Sequence, residues 1–155
     1  MRSRKKTPKN KVAPDPKFGN VKIAKFINYI MKDGKKSVAQ AVVYHSFDII
    51  SEKTKHDPLE IFDKAIKNIA PSLEVRGRRI GGANYQIPIA VSNDRKMILA
   101  YRWLIAAATK KKGKTMSSKL AEEFMAAANN EGEAVKKRED THKMAESNRA
   151  FAHFA

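Results

Sequence analysis

The sequence predicts a mostly α-helical single domain of about six helices, which carries a protruding two-stranded β-hairpin and a basic N-terminal arm. Apolar residues recur at helical spacing along most of the chain. Between about residues 72 and 91 the apolar period changes to two around a glycine pair, which is typical of a hairpin. Residues 1–11 contain six basic residues and no acidic one. A chain of 155 residues, 42% of them hydrophobic, can bury the core of one domain.

The predicted arm comprises residues 1–13, which hold almost no apolar side chain with which to pack a core. We expect this arm to be disordered alone and to become ordered on a partner; a solvated tail is the alternative. Pro14 and Pro16 then stiffen the chain at the start of a helical domain that extends over residues 14–149. Residues 150–155 form an aromatic tail without a helix cap.

Three helices are predicted before the hairpin. In the first helix, Asn20 caps the start and Gly34 stops the end. The third helix has Asp57 as its cap and Pro58 at its first position, a combination that favours helix initiation. The second helix runs over about residues 37–51, and four of its apolar residues are expected to face inward: Ala41, Val42, Ile49 and Ile50.

The hairpin turns at Gly81-Gly82, and three more helices are predicted after it, over about residues 92–110, 116–128 and 133–148. Pro88 cannot donate a ladder hydrogen bond, so its strand must be at an edge or contain a bulge. A lone two-stranded ribbon is only marginally stable in water, and we therefore expect a partner to steady it.

The sequence contains no recognisable catalytic motif. Gly113-Lys114-Thr115 resembles the end of a phosphate-binding loop, but Ala108 stands where the motif needs its first glycine. The chain has four histidines without metal-ligand spacing, no cysteine and no nucleophile elbow. We expect a protein that is not an enzyme, with no metal, no cofactor and no small-molecule substrate, located in the reducing cytoplasm.

Charge indicates the class of partner. The chain has 32 Lys and Arg against 16 Asp and Glu, a net charge of +16. Residues 1–36 and 76–119 each carry a net charge of +10, and the rest of the chain is slightly acidic. Two separate basic blocks predict two surfaces for nucleic acid, because neutralised phosphates release counterions. A membrane partner is not expected, since the sequence has neither a membrane span nor a basic amphipathic helix with an aromatic face.

The hairpin has the residues that bind phosphates and bases. Arg76, Arg78 and Arg79 precede the glycine turn, and the planar guanidinium binds two phosphate oxygens at once. Tyr85 offers a plane for base stacking; packing of its ring on the body is the alternative. Trp103 is interpreted as a core residue rather than a stacking platform. An arginine-rich ribbon also suits DNA-bending proteins, but several basic surfaces favour a folded RNA.

Several collinear motifs then resemble the bacterial small-subunit ribosomal protein seven family, and the likeness covers about residues 14–154. These motifs are PDPKFGN, KFINYIMKDGKKS, DPLEIF, VRGRRIGGANYQIP, RWL and AVKKREDTHKMAESNRAFAHF. The resemblance implies a primary binder of 16S rRNA that nucleates assembly of the small-subunit head. It also implies a place at the subunit interface near the mRNA exit path, exit-site tRNA and small-subunit proteins nine and eleven.

The resemblance assigns candidate residues by motif. Gly81, Gly82 and Tyr85 are expected near exit-site tRNA and mRNA, together with Lys136, Lys137 and Arg138, for which a salt-bridged helix surface is the alternative. Two departures from the family pattern are Gly77, where serine is usual, and the wording of the arm before Pro14. The expected rRNA contacts are Arg2, Arg4, Lys5, Lys6, Lys9, Lys11, Lys35, Lys36, Arg76, Arg78, Arg79, Arg95, Arg102, Lys110, Lys111, Lys112 and Lys114.

Overall fold

The computed structural model describes residues 12–154 and contains six α-helices, one hairpin and a final turn of 3₁₀ helix. The predicted fold class, mostly α-helical with a two-stranded hairpin, is confirmed, and the predicted basic arm lies almost entirely outside the described residues. The elements in chain order are α1 (Val21–Ile30), α2 (Lys36–Thr54), α3 (Pro58–Ile69), β1 (Leu73–Ile80), β2 (Ala83–Ala90), α4 (Asn93–Lys110), α5 (Met116–Ala128), α6 (Glu133–Ser147) and the C-terminal 3₁₀ helix (Arg149–Phe154).

Aromatic rings from five helices form the centre of the core. Phe26, Phe47, Phe62, Tyr101 and Phe124 are each at most 1% exposed. The ring of Phe26 meets those of Phe62 and Phe124 edge to face, with centroids 5.7 and 5.6 Å apart. Such edge-to-face pairs contribute beyond the area that they bury. Helix α5 lies at the middle of the body, because it packs against α2, α3 and α4.

The helix starts follow the predicted caps. The side chain of Asn20 accepts a hydrogen bond from Lys22 N at 2.8 Å, and that of Asp57 accepts one from Leu59 N at 2.9 Å. The first helix, however, ends at Ile30 instead of Gly34. Met31 already has extended backbone with ψ of 133°, so the helical ladder stops there and a short basic loop begins.

The inward face of α2 differs in part from the predicted one. Ile50 is buried as predicted, and Val42 and Ile49 pack partly buried against the core. Ala41, however, is exposed, and Val43 and Phe47 are buried. Residues spaced by three and four share one side of a helix, and Ala41 precedes Val43 by two positions, which turns it to the other side. Ser46 is buried within the inward face because its hydroxyl donates to the carbonyl of Val43 at 2.6 Å.

The segment before α1 is fastened to α2 by one carboxylate. Asp15 is 2% exposed, and its Oδ2 accepts from Lys17 N and Phe18 N, both at 3.1 Å. Its Oδ1 accepts from the hydroxyl of Tyr44 at 2.7 Å. Burial and the neighbouring Asp15 raise the pKa of Tyr44 to about 12, so this hydroxyl keeps its proton and remains a donor at neutral pH.

The hairpin joins α3 to α4 as two antiparallel strands. Gly81 and Gly82 have φ of 55° and 89°, the left-handed values that a tight two-residue turn requires. Pairing of Arg78 with Tyr85 and of Arg76 with Ile87 places these four side chains on one face. This face rests on the body through Ile87, which is 2% exposed, and the hairpin contacts α6 and the 3₁₀ helix.

Helix α6 holds the base of the hairpin through His142. Its Nε2 accepts a hydrogen bond from Ser72 N at 3.0 Å, immediately before β1. This bond requires a neutral imidazole, because a protonated ring has no lone pair to offer. Burial and the nearby Arg138 both lower the pKa of His142 below its ordinary value of 6.5.

This lowered pKa predicts a loss of stability in acid. The unfolded chain binds the proton first, so the contribution of His142 is present above its ordinary pKa and is lost as the pH falls through the lower folded pKa. We expect His142→Gln, which keeps an acceptor that does not titrate, to lose less unfolding free energy than the wild type between about pH 7.5 and about pH 5. Urea unfolding measures this difference. His45→Gln, on the exposed side of α2, is the control, and equal losses in all three proteins would contradict the prediction.

Candidate nucleic-acid interface

One cleft lies between the basic α1–α2 loop and the helix ends that flank the basic α4–α5 loop, two segments that are distant in sequence. The α1–α2 loop (residues 31–35) and the ends of α4 and α5 enclose a cavity of about 410 Å³. Lys32 and Lys35 line it from the first loop, and Thr109 and Met116 line it from the α4–α5 side. Its floor is apolar and includes Val38, which is 57% exposed. The structure therefore joins the ends of the two basic blocks into one surface, named the basic cleft below.

The α1–α2 loop displays its lysines because its backbone reverses sharply. Asp33 and Gly34 have φ of 52° and 71°, and Lys35 N donates to the carbonyl of Lys32 at 3.0 Å. Lys32, Lys35 and Lys36 are all exposed. Sequence reasoning selected only the last two. Lys32 could have been selected as well, because it lies only three residues before Lys35 in the sequence.

The four lysines of the α4–α5 loop divide into two kinds. Lys111 pairs with the buried Glu123 at 3.0 Å, and Lys114 pairs with Glu122. The hydrogen bond from Lys114 is the main cause that lowers the pKa of Glu122. Lys110 and Lys112 are exposed and make no ion pair with any residue between 12 and 154. Lys110 and Lys112 are therefore the two that present an unpaired charge.

Glu123 connects this loop to α6. Its Oε2 lies 3.0 Å from Lys111 Nζ, and its Oε1 accepts from Ala134 N at 3.0 Å, in the first turn of α6. A Cβ at Gly132, whose φ is +94°, would lie 2.9 Å from Oε1. Glycine is thus required where the chain passes the carboxylate, both by its backbone angle and by the lack of space.

The three hairpin arginines are exposed but do not share a face. Arg76 and Arg78 lie on the side of Tyr85, whereas Arg79 pairs with Asn84 and points to the opposite side. That opposite side carries Asn84 and Gln86, both of which are exposed. Sequence reasoning missed these two amides, although counting the register outward from the glycine turn would have found them.

The C-terminal 3₁₀ helix covers the Tyr85 face of the hairpin. The rings of Phe151 and Phe154 lie 5.1 and 5.6 Å from that of Tyr85, centroid to centroid. Arg78 Nη1 donates to the carbonyl of Phe154 at 2.7 Å. Tyr85 thus packs on the C-terminal tail, which neither interpretation of the sequence named, and base stacking on its ring stays a prediction. The tail also supplies part of the support that the ribbon was predicted to need.

The remaining arginines mostly contact the protein. Arg95 pairs with Glu74 of the hairpin at 3.2 Å, and the guanidinium of Arg102 lies 6.0 Å from the ring of Tyr29. Arg138 donates to the carbonyl of Asn68, so it ties α6 to the end of α3. Exposed on the same helix are Lys136 and Lys137. The six basic candidates of the arm, Arg2, Arg4, Lys5, Lys6, Lys9 and Lys11, lie outside the described residues.

Between residues 12 and 154, no group of His, Asp or Glu side chains is arranged to hold a metal ion. No helix in that part of the chain is both long and apolar enough to cross a membrane.

Comparison with known proteins identifies the family. A family model described as Ribosomal protein S7p/S5e matches residues 1–149. The chain belongs to this family. It is 58% identical over 151 residues to the small ribosomal subunit protein uS7 of Thermotoga maritima, with 97% of each chain covered. It is 53% and 55% identical over 154 residues to the uS7 proteins of Xanthobacter autotrophicus and Methylocella silvestris, with 99% of each chain covered.

Membership in the S7p/S5e family confirms the resemblance that the sequence motifs indicated. At the position of Gly77, the family motif usually has serine. A Cβ at Gly77 would meet the nearest atom, Gln86 Nε2, at 3.8 Å, which is an ordinary contact. The hairpin therefore has room for the usual serine, and the local packing does not require the glycine.

The aromatic contact between tail and hairpin predicts a measurable coupling. Each such pair contributes about 0.5–1.5 kcal/mol, so Phe151→Ala/Phe154→Ala should speed amide exchange in β2 by about tenfold. Hydrogen–deuterium exchange of the free protein measures this effect. Arg149→Ala changes an exposed residue of the same 3₁₀ helix and should leave the rates unchanged. Unaltered exchange in the double variant would show that the tail does not support the hairpin.

Proposed function

We propose that this protein is a structural constituent of the small ribosomal subunit which binds 16S rRNA directly and nucleates assembly of the subunit head. Membership in a ribosomal protein family gives the coarser part: a ribosomal protein that binds rRNA, acts in translation and works on the cytoplasmic ribosome as structure rather than as an enzyme. Primary binding, nucleation of the head and the position at the subunit interface are the finer part of the proposal.

The observation that carries the proposal is the basic cleft. Lys32 and Lys35 line it beside Asp33, and its other wall includes Thr109 and Met116, the residues on either side of the loop that carries exposed Lys112. A folded RNA presents phosphates on several helices at once, and a cleft lysine together with a lysine of the adjoining loop can contact two of them. The apolar floor at Val38 adds a surface for the sugar or base of an unpaired nucleotide.

The hairpin is proposed to serve the second surface, near the mRNA exit path and exit-site tRNA. Because the tail packs on Tyr85, the side of Arg79, Asn84 and Gln86 is proposed to supply most of the RNA contacts, together with exposed Arg76 on the other side. Arginine binds phosphate, and amides donate to and accept from base edges and 2′-hydroxyls. The proposed protein neighbours, small-subunit proteins nine and eleven, rest on the family resemblance.

The salt dependence of binding tests the cleft. Each lysine that contacts a phosphate adds ~0.9 to the slope of log affinity against log salt, if the RNA behaves as a duplex. We expect Lys35→Ala/Lys112→Ala to flatten this slope by about 1.8 for the 3′ major domain of 16S rRNA. Lys64→Ala/Lys67→Ala, which removes two exposed lysines from α3, is the matched control. Equal slopes for the two double variants would refute the cleft, and tighter binding to duplex DNA would refute the function.

Shortening the hairpin tests whether the cleft and the hairpin have separate roles in RNA binding. Residues 78–85 are paired with one another across the turn, so an Asn-Gly turn can replace them without changing the register of the rest. We expect the shortened protein to bind the rRNA domain within about threefold of the wild type, because the cleft remains. Ribosomes that contain it should lose exit-site tRNA faster. Loss of rRNA binding in the shortened protein would contradict the assignment.

A further inference from the structure

A second groove lies between α4 and α6, away from the basic cleft. Its α4 side consists of Trp103, Ala106, Ala107 and Lys110, at the spacing of one helix face. Its α6 side, at the same spacing, consists of Glu133, Lys136, Lys137 and Asp140. The two alanines leave space between the helices, and the groove encloses about 370 Å³.

The two helices run antiparallel along this groove. Glu123 holds both Lys111, just after α4, and Ala134 N, at the start of α6. Lys110 and Glu133 therefore lie at one end, and Trp103 and Asp140 lie at the other. Seven residues of helix separate Trp103 from Lys110, which corresponds to about 10 Å. This length suits one nucleotide, with its base at the tryptophan end and a phosphate at the lysine end.

The charges of the groove have no partners within the described protein. Neither its three lysines nor its two acids make an ion pair with any residue of the range 12–154. The charges of α6 stand three and four residues apart, the spacings at which opposite charges on one helix can pair. Here the cations and the carboxylates stay apart, so both are free to meet a ligand that carries negative charge and hydrogen-bond donors.

Trp103 contributes to the groove an indole N–H donor and a ring plane as well as apolar surface. It is partly buried and packs against the core on one side. No described residue accepts a hydrogen bond from its indole Nε1, and this nitrogen is not among the buried unpaired atoms, so the N–H reaches solvent. A buried tryptophan usually finds an acceptor. An indole with an open N–H on the wall of a cation-lined groove is a plane on which a nucleobase can stack.

We propose that this groove binds one unpaired nucleotide of the RNA, stacking its base on Trp103 and holding its phosphate with Lys110, Lys136 and Lys137. Asp140, at the tryptophan end, accepts from an amino or imino group of the base, as a carboxylate does with nucleobase N–H donors. The proposal rests on the proposed RNA-binding function. It assigns to Trp103 a binding role in place of the purely structural one that the sequence indicated.

The single tryptophan of the chain makes the test direct. Full-length protein is titrated with a transcript of the 3′ major domain of 16S rRNA, while filter retention measures binding and tryptophan emission reports on Trp103. We expect emission to be quenched in step with retention. Ala106→Leu fills the groove from an exposed position, so it should weaken binding by about fivefold or more and abolish the quenching. Ala41→Leu, at an exposed position of α2, should change neither.

The outcomes separate the two proposals. Undiminished retention with constant emission, or quenching that survives Ala106→Leu, overturns the groove and leaves the RNA-binding function standing. A change in emission that occurs only after another ribosomal protein is added assigns the groove to a protein and also overturns the proposal. Failure of the wild type to retain RNA overturns both.

Lys136→Ala/Lys137→Ala should flatten the salt slope by ~0.7 for each single-strand phosphate contact, relative to Lys64→Ala/Lys67→Ala.

Discussion

The buried carboxylate of Glu123 is the interaction on which the arrangement of the surfaces depends. A fully buried charge is costly unless it is paired and hydrogen-bonded. Here Ala134 N donates to Oε1, and Lys111 pairs with Oε2 by charge, although Oε2 accepts no hydrogen bond from a described residue. The acceptor also lies at the N-terminus of α6, where the helix dipole favours negative charge. Gly132 lets the chain pass close to the carboxylate. One side chain of the central helix thus fixes both the end of the α4–α5 loop and the start of α6.

Helix α6, once positioned, contacts the end of α3 and the base of the hairpin, and it leads into the C-terminal 3₁₀ helix. Arg138 ties it to the carbonyl of Asn68, and His142 receives the amide of Ser72 at the base of the hairpin. The 3₁₀ helix that follows α6 then covers one face of the ribbon through Phe151 and Phe154. A two-stranded hairpin is only marginally stable by itself. Its orientation relative to the helices, and the face that it exposes to solvent, therefore follow from its contacts with α6 and the 3₁₀ helix.

The features predicted from the sequence are those that local chemistry determines. Asp57 with its following proline starts a helix, and Gly81-Gly82 makes a turn, whatever surrounds them. The contacts that were missed depend on residues distant in sequence. Nothing near Lys111 shows that Glu123 will neutralise it, and nothing near Tyr85 shows that two phenylalanines from the tail will cover it. Burial periodicity was ambiguous on α2 because apolar residues occur on more than one of its sides.

These partnerships divide the basic residues of the chain into two groups with different roles. A lysine that faces a carboxylate, such as Lys111 or Lys114, contributes to the scaffold and releases few counterions when RNA binds. A lysine without a partner in the described protein, such as Lys112, keeps its counterions until a phosphate replaces them. Among the described residues, six basic side chains belong to the first group: Lys17, Lys22, Arg95, Lys111, Lys114 and Arg138. The second group includes lysines at loop ends, such as Lys35 and Lys112, and those along the groove between α4 and α6. Cations fixed at such positions by the helices lose less freedom on binding than the same charges on a flexible chain would.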